Sequence, residues 1–418
     1  MSRWRHRELA VWGGLPGESV EVAIDGRGGQ RAHGRAVRIL APSPDRTAPM
    51  CAHHGVCGGC TWQHWELAAQ RAWKLERVRA ALEPLASAPE WLGALRASAA
   101  DRAFRSKFQP MLANVRGQGL SWALYRPFSH DFVPIRECVV QDRVSHDVGF
   151  ALLDVLKRVG ASPDWLRGAL VRSNGEQALV ALLVGLERAP AAAALADLGH
   201  QVLAAGAAGV EVAYSSLAHN ALLGGGGAHL AGRPHLEFRI GDISLLASAT
   251  SFVQIHLEAA ALLVGAARDL CPRPAGRLVD LFAGVGLFAK ALRGVADEVV
   301  AVEVYSPAAS LARLNLADCG SAEVVAEASL AYALAAPPAD VVVLDPPRAG
   351  CGEALISALG ERLRPRTVLY VSCHLDALAR DAVGLAGQGF ELKQAIPVDL
   401  FPHTPHVEVV CRFDRHDA

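Results

Sequence analysis

From residue 276 onward, short and almost wholly apolar runs alternate with amphipathic stretches, and nothing else in the chain constrains its fold as strongly. The runs RLVDLF, EVVAVE, DVVVLD and TVLYVSC each reach a polar residue and are followed by a helical pattern. Strands without polar alternation are buried on both faces, which predicts a parallel sheet covered by helices on each side. The last two runs, FELKQAIPVDLF and HVEVVCRF, have no helix between them and predict an antiparallel pair closing one edge.

The preceding residues read differently. Residues 9–24 (LAVWGGLPGESVEVAI) predict two short strands around a Leu-Pro-Gly turn, and residues 31–40 predict a third with arginines on its exposed face. APSPDRTAP, residues 41–49, reads as a stiff proline linker. A helical pattern follows over 62–82, carrying Arg71, Lys74, Arg77 and Arg79 along one side. Residues 101–250 mix strand-like and helical runs, and the glycine run Gly224–Gly227 marks a loop. With 418 residues and domains of ~150 each, we expect divisions at 1–46, 47–250 and 251–418. No apolar run approaches the ~20 residues of a membrane span, and the first residues lack the apolar core of a secretory signal. A soluble, cytoplasmic, monomeric protein is expected.

Charge is unevenly spread. Residues 1–150 hold 20 Lys and Arg against 14 Asp and Glu, whereas the remainder holds 21 against 28. A basic front on an acidic back suits an anionic partner for the front half, although 36 of the 41 basic residues are Arg, as a compositional bias would also give.

Four groups of residues carry chemistry. Asp280-Leu-Phe-Ala-Gly284-Val-Gly286 follows a strand and opens a helix, and its glycines permit a tight turn against a nucleotide-like ligand. Position 289 is Ala, so the dinucleotide G-x-G-x-x-G is incomplete, while Glu303 ends the next strand, placed to bond ribose hydroxyls. This combination favours S-adenosylmethionine over NAD. Asp345-Pro-Pro-Arg348 ends the fourth parallel strand. Amino-group methyltransferases place an aromatic after such a D-P-P turn, so Arg348 argues against nitrogen chemistry. Cys373 follows the next strand on the ligand-binding edge, where a thiol can serve as nucleophile, although a lone cysteine is more often simply buried. Glu408, flanked by Val407 and Val409 in the closing pair, reads as a partly desolvated base. Finally, Cys51, Cys57 and Cys60, with Cys138 as a fourth thiolate, suit zinc or an iron–sulfur cluster equally by count.

With these motifs assembled, the chain resembles the RNA (uracil-5-)-methyltransferase family, in particular its iron–sulfur branch acting on 23S rRNA. CGGCTWQH, SFVQIH, DLFAGVG, DPPRAG, YVSCH and DLFPHTPHVE occur in the family's order across essentially the whole chain. The resemblance implies an α/β fold: a class I, Rossmann-like SAM-dependent methyltransferase domain, an iron–sulfur central RNA-binding domain and a truncated N-terminal OB-like TRAM module. It implies that Cys51, Cys57, Cys60 and Cys138 hold a 4Fe–4S cluster, and that Gln254, Phe282, Glu303 and Asp345 bind S-adenosylmethionine. Cys373 is the implied nucleophile and Glu408 the implied base. Arg105, Lys107 and the basic face of helix 62–82 are the implied contacts to RNA phosphates. The sequence departs from the family pattern at His256 and His374, where Asn is usual, at Val253, where an aromatic is usual, and at Leu287 and Ala328, where polar residues are usual.

These assignments imply formation of 5-methyluridine in structured RNA, with 23S rRNA favoured and the T-loop uridine of tRNA as the alternative. A protein that keeps the fold but only binds RNA is the rival from outside enzymes.

Overall fold

The computed structural model describes residues 2–4, 7–28, 31–86, 89–216 and 226–416. In its C-terminal layer the alternating pattern becomes seven strands: β1 (Ala275–Asp280), β2 (Ala296–Val302), β3 (Ala322–Val325), β4 (Val341–Leu344), β5 (Thr367–Ser372), β6 (Phe390–Asp399) and β7 (Glu408–Arg415). Across the sheet they run β3-β2-β1-β4-β5-β7-β6. β1 to β5 are parallel, and β7 lies antiparallel to both β5 and β6. Every residue of β4 and β5 is buried, which is why their sequences carry no polar alternation. The order reverses between β1 and β4, so the carboxyl ends of these strands open a crevice where such sheets take ligands.

Upstream, strands Ser2–Trp4, Arg7–Trp12, Ser19–Gly28 and Arg31–Ala41 form a four-stranded sheet. The proline linker is pinned rather than free. Arg46 donates two hydrogen bonds to the Glu18 carboxylate, from Nε to Oε1 (2.5 Å) and from Nη2 to Oε2 (2.6 Å), and Glu66 N–H donates to Asp45 O (2.8 Å). The guanidinium holds the Glu18 carboxyl down at about 2. A larger sheet follows, built around strands Leu166–Ser173 and Ala178–Gly185, with helices Arg143–Arg158 and Ala192–Ala204 packed on it. Gly224 and Gly225 of the glycine run lie outside the described residues, and Gly227 opens a strand.

The helix expected over 62–82 begins at Leu67 and ends at Leu82. It does not pack on the middle sheet. Val78 and Leu82 enter the core of the C-terminal layer beside Tyr370 and Phe413, and Arg96–Ala97 adds an eighth strand parallel to β6. Its expected basic face is divided. Lys74 is fully buried and Arg71 turns inward, both onto Asp399, so neither presents a phosphate-binding surface. Arg77 lies over the Trp73 ring (5.3 Å) and Arg79 pairs with Glu76 (3.5 Å). A lysine in an amphipathic helix reads as solvated in sequence; only a buried carboxylate brought from 325 residues away makes it a core residue.

No described helix is long and apolar enough to cross a membrane.

Candidate active site

The crevice is built from strand ends. Asp280 closes β1, and its side chain is entirely buried. Its Oδ2 accepts the Ala289 N–H (3.0 Å) and clamps the glycine turn, while Oδ1 has no partner. Burial pushes its carboxyl up to about 7 against the pull of backbone N–H groups. The turn needs its glycines: Gly284 and Gly286 have φ of +55° and +93°, where a side chain is strained. Glu303, after β2, accepts N–H donors from Gly284 (2.9 Å) and Tyr305 (2.6 Å), so the second acidic residue fixes the first turn. Phe282 and Glu303 share a cavity of about 390 Å³ with Ala328, Leu330, Gly352 and Leu355, within the size range of small-molecule sites.

Asp345 ends β4. Burial, with the charge of Asp280 adding to it, raises its carboxyl to about 7. The loop that follows is anchored from behind by buried Asp381, whose Oδ2 accepts the Cys351 N–H (2.6 Å) and the Tyr370 hydroxyl (2.7 Å). Gly350 passes so close that a Cβ there would stand 2.5 Å from that same oxygen. This anchor aims Arg348 back at the end of β5.

Cys373 and Glu408 are brought together by register. β5 and β7 pair antiparallel up to Ser372 opposite Val409, so the next pair outward is Cys373 opposite Glu408. Cys373 is half-buried and Glu408 buried. Burial and the Glu408 charge raise the Cys373 thiol, and a hydrogen bond and charge from Arg348 lower it. Glu408 is pushed well above the carboxylate range by burial and by Asp345, with Arg348 pulling against them. Arg348 thus faces both groups. In the sequence it had only excluded an aromatic, and no spacing signal could reveal its aim. The neighbouring histidines differ: His403 Nε2 lies 3.1 Å from Asp101 O and serves the loop rather than Glu408.

Gln254 is buried at the entrance to helix Leu257–Leu270 and does not line the Phe282–Glu303 cavity. Its segment is held by Arg172, a fully buried residue whose Nε donates to Ala249 O (3.0 Å) and Nη1 to Val253 O (3.3 Å). Glu211 accepts the Thr250 N–H between them (2.8 Å). Both departures from Asn sit at helix N-caps. His256 Nδ1 accepts from Ala259 N–H (3.4 Å) and His374 Nδ1 from Ala377 N–H (3.2 Å), the bond an Asn cap would make.

Cys51, Cys57, Cys60 and Cys138 line a second cavity, of about 330 Å³, together with Arg105 and Gln63. Among the described residues no three His, Cys, Asp or Glu side chains converge on a point fit for a single metal ion. Burial pushes Cys60 up to about 12 and raises Cys57 and Cys138, with neighbouring thiols adding and Arg105 opposing. Gly58 is required here, since a Cβ would meet Tyr125 O at 3.0 Å. Beside it, burial and the charges of Arg172 and Arg105 depress Lys107 to about 8.

No family model matches the chain. An RNA methyltransferase of Thermosynechococcus vestitus is 32% identical, covering 98% of this chain and 94% of its own. A 23S rRNA (uracil(1939)-C(5))-methyltransferase of Shewanella is 28% identical over 96% of this chain and 90% of its own. Among solved structures, the Pyrococcus abyssi tRNA (uracil-54, C5)-methyltransferase, in complex with S-adenosyl-L-homocysteine, superposes with a TM-score of 0.75 over 97% of this chain and 95% of its own, at 22% identity. The shared fold is the α/β methyltransferase fold.

Proposed function

The chain belongs to the RNA methyltransferase family, and within it we propose that it converts uridine to 5-methyluridine in structured RNA, with Cys373 as nucleophile and Glu408 as base. The observation that carries this is the strand register: the β5–β7 ladder ends at Ser372 opposite Val409, and one step beyond it the same register places the Cys373 thiol opposite the buried Glu408 carboxylate at the ligand edge of the sheet. Carbon 5 of uracil is a poor nucleophile. The Cys373 thiolate adds to carbon 6, and the electron pair moves through carbon 5 toward the carbonyl, making carbon 5 enolate-like. When bound, S-adenosylmethionine would supply an electrophilic methyl group to carbon 5, its sulfonium S–CH3 bond breaking to leave S-adenosylhomocysteine. Glu408 then removes the carbon 5 proton, and the electron pair restores the 5,6 double bond as the Cys373 thiolate leaves.

The electrostatics suit this order. Arg348 favours the thiolate, and desolvation makes Glu408 a stronger base than an ordinary carboxylate. The buried Asp280 and the Glu303-braced turn suit the binding of S-adenosylmethionine, with Phe282 lining the same cavity and Asp345 and Gln254 outside it. Uracil must leave any stack to reach the crevice, so the base is flipped.

We assign the four-cysteine cavity to a 4Fe–4S cluster. The four thiols line one cavity, and four thiolates match the ligand set of such a cluster. Such a cluster would supply a fixed scaffold and a local charge. The nearby cations Arg105 and Lys107, which repel each other, would be relieved by RNA phosphate. The N-terminal sheet would act as a TRAM-like RNA contact. 23S rRNA is the favoured substrate because a near-full-length relative is named for it. The tRNA reading follows from the fold neighbour.

The test is replacement of Glu408 by Gln. Methyl transfer should proceed and proton removal stall, so a methylated RNA–protein adduct accumulates on a denaturing gel. Free 5-methyluridine released at the wild-type rate removes Glu408 as the base.

A further inference from the structure

The turn that delivers Glu408 is held from outside its own layer. β6 ends at Asp399, and residues 400–407 carry the chain into β7. Two prolines, Pro402 and Pro405, remove two backbone donors from this turn, and His403 adopts a φ of +64°, which a non-glycine residue keeps only when its surroundings enforce it. Its anchors come from helix Leu67–Leu82. Lys74 Nζ donates to Asp399 Oδ1 (2.5 Å) and Phe401 O (2.9 Å). One helical turn earlier, Gln70 Oε1 accepts the His403 N–H (2.9 Å), while Gln70 Nε2 donates to Trp65 O (2.7 Å) and Trp62 O (3.0 Å). Trp62 N–H in turn donates to His403 O (2.9 Å). Lys74 and Gln70 have no exposed surface. Trp62 stands two residues after Cys60, and His403 five residues before Glu408.

We infer that Gln70 and Lys74 are positioning residues for the base, splicing the four-cysteine segment to the turn that sets Glu408 opposite Cys373. This rests on the reading of Glu408 as the base. Neither side chain lines the crevice or the Phe282–Glu303 cavity. A buried amide and a buried ammonium contribute little net stability compared with apolar residues of equal volume, but their bonds have direction, and direction is what a proline-rich turn lacks. The placement of Glu408 therefore depends on the order of residues 51–62 as well as on its own sheet.

The consequence is a specific kinetic defect. Addition of Cys373 and methyl transfer precede the use of Glu408, so loosening the turn slows the last step alone. Misplacing a catalytic group by ~1 Å costs roughly 10²-fold. The test uses single turnovers of the full-length, metal-loaded protein with labelled S-adenosylmethionine and unmodified RNA, comparing wild type, Gln70→Met and Gln70→Glu. Gln70→Met should form the labelled adduct at near the wild-type rate and release product roughly 10- to 100-fold more slowly. Gln70→Glu, which keeps the acceptor for His403 N–H, should fall between. A merely structural role would lower adduct and product together, and that proportional loss overturns the proposal.

Hydrogen exchange gives a reading independent of turnover. Peptides covering 399–407 should exchange at least about tenfold faster in Gln70→Met and in Cys57→Ser, while β5 peptides stay protected; unchanged protection of the turn overturns the coupling. Should Glu408→Gln itself give no adduct, the base assignment fails, and the exchange result alone decides whether helix and turn are linked.

Discussion

Replacing Arg348 with Met isolates the activation of the nucleophile. The charge of Arg348 opposes the burial that raises the Cys373 thiol. A contact of this kind to an ionised partner contributes at most about 1.5–3 kcal/mol, the range of a charge-assisted hydrogen bond. Arg348 is exposed, so solvent screening reduces this to about 1–2 kcal/mol. That corresponds to roughly a 5- to 30-fold smaller thiolate population near neutral pH. The sign follows directly: losing the guanidinium raises the thiol further, so the ascending limb of the pH–rate profile moves to higher pH. The assay is the single-turnover rate of covalent trapping on RNA carrying 5-fluorouridine, measured from pH 6 to 10 beside RNA affinity. Fluorine at carbon 5 blocks the final deprotonation, so the trapping rate reports addition and methyl transfer without Glu408. Wild type and variant should differ most at low pH and converge where both thiols are ionised. A deficit that is constant across pH would refute the reasoning, because it would assign Arg348 to holding RNA rather than to the thiol.

Other outcomes follow from the same geometry. Cys373→Ala should abolish methylation while RNA affinity changes less than about twofold, as measured by filter binding; residual turnover removes it as nucleophile. Arg172→Met leaves Ala249 O and Val253 O without these buried donors, a loss of about 1–3 kcal/mol; calorimetry should show the destabilisation, and KM for S-adenosylmethionine should rise as the Gln254 segment loosens. Cys57→Ser should remove the visible absorbance of anaerobically purified protein, and an unchanged spectrum rejects the cluster. His256 is held below the ordinary imidazole range by burial, so the folded chain binds fewer protons than the unfolded one below about pH 6.5, and stability drops as pH falls through that window; in urea titrations at pH 7.5 and 5.5, His256→Asn should lose less stability than wild type.

The C-terminal layer was legible because its signals are local. Unbroken apolar runs specify strands buried on both faces, and the residue that closes each run marks the carboxyl edge of the sheet, so the positions of Asp280, Glu303, Asp345 and Cys373 along that edge follow from the sequence. The approach of Cys373 to Glu408 was not legible, because it needs β7 to insert between β5 and β6, and an antiparallel closing pair does not by itself specify that order. What stayed hidden depends on distant partners. Lys74 and Arg71 carry the same pattern as any solvated helix face until Asp399 is brought beneath them. Arg172 reads as an ordinary strand arginine, yet it is the clamp on a loop 77 residues away. The start of the first helix at Leu67 rather than 62 has a similar origin: Trp62 and Trp65 spend their carbonyls on Gln70 and their segment on the 400–407 turn. His256 and His374 looked like departures from the family pattern, but an imidazole nitrogen can cap a helix as an amide oxygen does.

The central claim is tested most directly by incubating the protein with labelled S-adenosylmethionine and, in parallel, unmodified 23S rRNA and tRNA transcripts, followed by nucleoside mass analysis. The account predicts labelled 5-methyluridine in the 23S rRNA digest. Label in 5-methyluridine from tRNA alone would keep the chemistry and reassign the substrate. A label on any other nucleoside, or none in either RNA with cluster and S-adenosylmethionine bound, would contradict it.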